Sequence, residues 1–155
     1  MVIPARDVDV TYKVPVAGSQ DMAILQRYRY SASLRRQRVD LPTSRTWMVL
    51  DYVTHRMTLV RDETREMVEL PAPDNSGAGY AYVGKAEVDG LACTEWRTRD
   101  TRGQETVACY TADGVLLRAR GDRGVLTEAV EVDYRQQAAD VFALPQDYSH
   151  QTPSQ

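Results

Sequence analysis

The chain is short of the residues that most chemistry needs. It has two cysteines, two histidines and two lysines in 155 residues. No run of eighteen apolar residues occurs, which excludes a membrane-spanning helix. Positive net charge is lacking as well: the formal charge is −3, which argues against a general nucleic-acid binder. The N-terminus, MVIPARDVDV, has no basic stretch followed by an apolar one, so no signal peptide is visible. His55 falls in a turn and His150 in the C-terminal tail. The four Cys and His residues have no zinc-ligand spacing. G-x-S-x-G, Walker and H-E-x-x-H motifs are all missing. Gly77-Ala78-Gly79 lacks the strand-to-helix context of a phosphate cradle, and Glu66/Glu69 and Glu128/Glu131 read as solvated strand faces. No catalytic residue, metal or cofactor is expected, and the protein reads as a non-enzyme.

What is present starts with the cysteines. Cys93 and Cys109 flank TEWRTRDTRGQETVA, which reads as two short strands around a turn at Arg99 to Gly103. Folding that hairpin sets the sulfurs on neighbouring strands, within reach of the roughly 5.5 Å Cα separation a disulfide prefers. Two readings fit: a reduced buried pair in a cytosolic protein, or a disulfide in an exported one. The hairpin spacing favours the second. It implies an exported protein in an oxidising compartment, with any leader lying outside this sequence.

Alternation of period two dominates the chain. Val8, Val10, Tyr12 and Val14 alternate with Asp7, Asp9, Thr11 and Lys13. Ile24, Tyr28 and Tyr30 oppose Arg27 and Arg29, and Thr46, Met48, Leu50 and Tyr52 oppose Trp47 and Val49. Further strands are expected at 34–40, 56–61, 64–70, 82–88, 91–98, 105–111, 114–120 and 125–134. The total is ten or eleven, with turn chemistry at Gly18-Ser19, Asp113-Gly114 and Gly121 to Gly124. Pro42 and Thr43 break a strand, and Pro71 to Gly79 (PAPDNSGAG) is a loop. Helical signal is confined to Arg135–Phe142, one or two turns before Leu144-Pro145. Asp21–Arg27 has a capping residue, but Tyr28 and Tyr30 favour extension. No internal repeat stands out. Residues 1–148 are expected to form one β domain of barrel, half-barrel or sandwich type, and 149–155 a flexible tail.

Two surfaces remain as candidates. Met48, Met57 and Met67 fall on successive expected strands with Tyr30, Leu50 and Leu59. Such a set fits an ordinary core, or an adaptable apolar lining for a greasy ligand in the mouth of a curved sheet. Residues 22 to 50 carry six arginines against one acid, Asp40. Within that stretch Arg27, Arg29, Arg36 and Arg38 form a basic face. It reads either as a solvated face balanced by acids on neighbouring strands, or as a docking surface for anionic groups.

The C-terminal half carries a resemblance. Gly90, Cys93 and Trp96 form G-x-x-C-x-x-W; Cys109, Thr111, Asp113 and Gly114 form C-x-T-x-D-G; Phe142, Leu144, Pro145 and Tyr148 form F-x-L-P-x-x-Y. In this order the motifs resemble a group of uncharacterised exported bacterial proteins. That group is itself similar to the outer-membrane lipoprotein carrier (LolA-like) superfamily. The likeness covers about the last seventy residues by motif and the first eighty by strand pattern. It implies a strongly curved antiparallel half-barrel, closed on its concave side by helices, with an apolar cavity for lipid or acyl chains. It also implies a periplasmic protein that is peripheral to the membrane at most. Two functions follow as expectations. One is a lipid or acyl-chain binder using Tyr30, Met48, Leu50, Met57, Leu59 and Met67. The other is an envelope sensor or scaffold that docks a protein partner through its arginine-rich strands.

Overall fold

A computed structural model describes residues 2–16, 22–41, 44–72, 79–99 and 103–151. The alternating segments become strands: β1 (Val8–Pro15), β2 (Ala23–Ser31), β3 (Arg36–Leu41), β4 (Thr46–Asp51), β5 (Arg56–Arg61), β6 (Glu66–Pro71), β7 (Ala81–Val88), β8 (Leu91–Arg99), β9 (Glu105–Tyr110), β10 (Leu116–Gly121), β11 (Gly124–Asp133) and β12 (Ser149–Gln151). They form one sheet in the order β12-β6-β5-β4-β3-β2-β1-β11-β10-β9-β8-β7. Every pairing is antiparallel except β12 on β6. Most successive strands are neighbours; the steps from β6 to β7 and from β11 to β12 instead cross the sheet. The expected turn at Gly18-Ser19, the break at Pro42-Thr43 and most of the 71–79 loop and 99–103 turn lie outside the described residues.

From β2 to β6 the architecture is a meander of tight hairpins. Arg35, Arg45, His55 and Arg65 each close a turn at positive φ, between +49° and +56°. Strands of six residues joined by turns of four give a structural period of ten. A bulky residue in the left-handed region is uncommon, and here one recurs immediately before each of four successive strands, β3 to β6. The sequence shows no repeat because only the backbone conformation recurs, on side chains that share little but a basic group.

Helix is almost absent. Of the expected helix at 135–142, only the 3-10 turn Ala139–Phe142 forms. Ala138 precedes it with extended backbone and no side-chain cap, so nothing satisfies the first amides of a longer helix. The segment instead runs extended over the sheet and buries Phe142 to 1% exposure. Residues 149–151, read from the sequence as the start of a tail, pair with β6 as β12: His150 lies across from Met67 and Ser149 N donates to Arg65 O.

The disulfide forms. Cys93 on β8 and Cys109 on β9 are bonded with Cα atoms 5.4 Å apart. Both are buried in the main core with Val8, Val10, Tyr12, Tyr30 and Leu117. A second cluster, Trp47, Val49, Val60 and Met67 with Tyr148 against it, lies on the other side of β4–β6. The N-terminal segment is tied down at the β9–β10 turn: Ala5 N donates to Asp113 O, and Arg6 Nε donates to the Asp113 carboxylate at 2.8 Å. Gly114 turns there at φ +87°, and a Cβ on it would lie 2.6 Å from Ile3 O. Only glycine fits.

Candidate functional site

Register decides which side chains share a face. Directly opposed residues in an antiparallel pair point the same way, and the pairings run Val10–Tyr28, Tyr28–Val39 and Val39–Met48. One face therefore holds Tyr12, Val14, Tyr28, Tyr30 and Val39. The opposite face holds Asp9, Arg27, Arg29, Arg38 and Trp47.

The first face lines a cavity of about 380 Å³. Tyr12 and Val14 of β1, Tyr28 of β2 and Val39 of β3 form one wall; Tyr110 and Leu116 of β9 and β10 form another. Tyr52, just after β4, also borders it. In strand order β4 and β9 are six steps apart, which in a flat sheet would separate them by about 29 Å. Residues that far apart can share a cavity of this size only if the sheet curls around it. The cavity face is concave, and the arginine face is convex.

Tyrosines set the character of the cavity. Tyr12 and Tyr28 meet edge to face with ring centroids 6.3 Å apart, and Tyr30 and Tyr52 do the same at 6.2 Å. Tyr12 Oη donates to Leu116 O at 2.7 Å, and Tyr52 Oη donates to Gln37 Oε1 at 2.7 Å. Burial holds every phenol neutral: Tyr12 and Tyr28 are pushed well above the ordinary tyrosine value, and Tyr52 and Tyr110 up to about 12. Neighbouring phenols add to the effect. Not one lysine, arginine, aspartate, glutamate or histidine is among the described lining residues.

The expected ligand set divides. Tyr30, Met48, Leu50, Met57 and Leu59 lie on the concave face, where Met48 opposes Leu59 and Leu50 opposes Met57. They continue that face away from the cavity but do not border it. Tyr30 and Leu50 are packed to 2% and 5% exposure. Met67 points the other way: it opposes Val60 and joins the Trp47 cluster. The reason is parity. Each hairpin in this region pairs odd-numbered with even-numbered residues, so after Met48 and Met57 the concave position of β6 is Val68.

The four arginines do share one face, and each meets a carboxylate. Arg27 forks onto Asp9 at 3.1 and 2.6 Å. Arg29 and Arg38 both reach Asp40, at 2.9 and 2.7 Å, and Arg36 reaches Asp51 at 3.0 Å. Arg38 also lies over the Trp47 ring at 3.8 Å and donates to Val141 O. Burial by itself would raise the Asp9 carboxyl; the hydrogen bonds and charge of Arg27 outweigh it and hold the group below the usual carboxylate range. The positive surplus counted along the chain is thus largely neutralised in space. Its partners Asp9 and Asp51 sit just outside that stretch, on β1 and β4.

The convex face is crossed by residues 135–148, not by helices on the concave side as the resemblance implied. Tyr148 Oη donates to Asp62 Oδ1 and Trp47 Nε1 donates to Asp62 Oδ2, while Arg65 pairs with Asp147. A second cavity of about 390 Å³ lies under this strap, with Val49, Met67 and Phe142 in its floor and Arg36, Arg56 and Glu69 at its rim. His150 borders it, and His55 closes the β4–β5 turn. No cluster of three or more His, Cys, Asp or Glu capable of holding a metal occurs among the described residues.

Tyr12, Tyr28, Tyr52 and Tyr110 are the site residues that sequence reasoning did not nominate. A signal was available: the chain has nine tyrosines and one phenylalanine. A plain apolar core has no need of so many hydroxyls, whereas a lined cavity can use them.

No family model and no curated protein matches the chain. Solved structures do. An uncharacterized conserved protein from Thermus thermophilus aligns at a TM-score of 0.71 and 16% identity, over 96% of this chain and 91% of that one. PNGF-II aligns at 0.64 and 10%, over 96% of this chain but 32% of its own. MucB aligns at 0.59 and 15%, over 92% of this chain and 58% of its own, and so does MucB in complex with MucA(peri), at 0.59 and 14%. The chain thus corresponds to part of the latter two proteins and to nearly all of the first. At these identities the likeness is one of fold: a strongly curved, open antiparallel half-barrel.

Proposed function

We propose that this protein is a non-enzymatic binding protein of the periplasm that holds a hydrophobic or lipidic ligand in the concave face of its sheet. One observation carries the reading: a cavity of about 380 Å³ on that face, walled mainly by aromatic and aliphatic side chains, with no charged residue among its described lining residues. Sites for small apolar ligands are concave, mostly apolar and of this order of size. Tyr30, Met48, Leu50, Met57 and Leu59 would extend the apolar surface for a longer chain. The Cys93–Cys109 disulfide supports residence in an oxidising compartment. The experiment is native mass spectrometry of protein extracted gently from membranes, together with titration by the neutral dye N-phenyl-1-naphthylamine. A co-purifying apolar adduct and saturable dye binding are expected. Ligand-free protein that leaves the dye dark would refute the reading.

A second reading is a docking module for an envelope protein. It is favoured by the MucB structure, where the same fold is seen in complex with MucA(peri). The convex face bearing Arg27 and Arg36 is the candidate surface. Both are partly exposed, at 46% and 39% of the side chain, whereas Arg38 is held by Asp40, Val141 and Trp47. Charge reversal at Arg27 and Arg36 should then abolish capture of an acidic envelope partner and leave dye binding intact. Unchanged capture would refute this reading.

A further inference from the structure

The cavity also specifies what kind of molecule it takes, on the reading that it is the ligand site. No charged side chain is among the described residues that line it. The nearest run of cations along the chain, Arg27, Arg29, Arg36 and Arg38, points to the opposite face of the same strands, and each is engaged by a carboxylate there. Lys13 pairs in register with Leu25 and so also points away from Tyr12 and Val14. A carboxylate or phosphate buried in the cavity would leave water and find no counter-ion among the described lining residues, which is the costly case for burial of charge.

Neutral hydrogen bonding is provided for. Two of the four phenols are already committed, Tyr12 to Leu116 O and Tyr52 to Gln37. Tyr28 and Tyr110 make no hydrogen bond with any described residue and border the same space, as does Gln26. Their hydroxyls remain neutral and able to donate. We infer that the ligand is an uncharged amphiphile, an apolar body whose buried end carries a neutral oxygen such as an ester, ketone or alcohol, and is not a free fatty acid or an anionic head group. A neutral oxygen satisfies the phenols of Tyr28 and Tyr110, and an apolar body fills the space between Val14, Val39 and Leu116.

The test is displacement of bound N-phenyl-1-naphthylamine by four competitors with a twelve-carbon chain, methyl dodecanoate, dodecanol, dodecane and ionised dodecanoate, at pH 8. The ester and the alcohol should displace the dye at concentrations at least about tenfold below those needed for dodecanoate. The double variant Tyr28→Phe/Tyr110→Phe keeps the walls apolar and removes both hydroxyls that would meet a neutral oxygen. It should lose most of the advantage of the ester and alcohol over dodecane, a comparison that a merely structural role for the two rings would not change. Dodecanoate competing as well as or better than the ester would overturn the inference and leave the cavity as a ligand site. No dye binding, and no displacement by any competitor, would overturn both.

Discussion

Opening the Cys93–Cys109 bond is the perturbation with the clearest arithmetic. The bond closes a loop with a sequence separation of 16. In the chain-entropy description, a loop of that length removes enough freedom from the unfolded state to stabilise the fold by about 3 kcal/mol. Both cysteines are buried, at 5% and 0% exposure. Reduction therefore leaves two thiols in an apolar setting and gains nothing from hydration. Unfolding a chain of 155 residues carries an entropy of about 0.33 kcal/mol per degree, so the expected drop in melting temperature is about 9 °C. The assay is thermal unfolding followed by circular dichroism. One sample is kept oxidised; the other is reduced in denaturant and refolded with reductant, its two thiols counted before the scan. The variant Cys93→Ala/Cys109→Ala should melt close to the reduced protein and ignore reductant. A fully reduced protein melting within about 2 °C of the oxidised one would show that the loop is already closed in the unfolded chain, refuting the entropic argument. Two reactive thiols in protein isolated without reductant would remove the link to an oxidising compartment.

Three further outcomes follow from particular residues. Gly114→Ala adds a Cβ 2.6 Å from Ile3 O at φ +87° and should cost roughly 2 kcal/mol or more in urea unfolding. Gly90→Ala, at φ +77° with nothing within 4 Å, should cost only about 1 kcal/mol. His55→Gly and Arg45→Gly relieve positive-φ backbone at turns and should each raise stability by about 0.5–1 kcal/mol, visible as a higher urea midpoint. Asp9, Asp51 and Asp113 are all held below the usual carboxylate range; burial opposes this in each case and is outweighed by hydrogen bonds, from Arg27 at Asp9, from the Thr54 and Val53 amides and Arg36 at Asp51, and from Thr111, Tyr134 and Arg6 at Asp113. Their stabilisation is therefore complete above the unfolded carboxylate value of about 4 and is lost as pH falls through the folded value. Asp9→Asn should lower stability at neutral pH by about 1–2 kcal/mol, because Arg27 loses its charged partner, and should flatten the decline below about pH 5.

Much of the architecture was legible because a half-buried strand imposes period two on its own residues. The alternations at Val8–Val14 and Thr46–Leu50 became β1 and β4, and the cysteine hairpin became β8–β9 with its bond closed. A helix is expected from RQQAADVF because its composition permits one; the structure uses those residues to carry Phe142 onto the convex face. Period alone also could not place Met67. Its face depends on whether the β5–β6 hairpin pairs odd with even residues, which is a property of the turn at Arg65.

The sequence by itself determined local matters: extended strands, a disulfide-competent hairpin, a glycine at 114, and a motif order that resembles the LolA-like half-barrel. These depend on near neighbours and on patterns within one segment. Only the tertiary structure decided what faces what. Curling of the sheet brings Tyr52 and Tyr110 to one cavity across six strand steps, and cross-strand register sets Asp9, Asp40 and Asp51 against the arginines. The candidate site and the silencing of the basic face both come from contacts between distant segments. They are set by register and curvature, which no single stretch of the chain encodes.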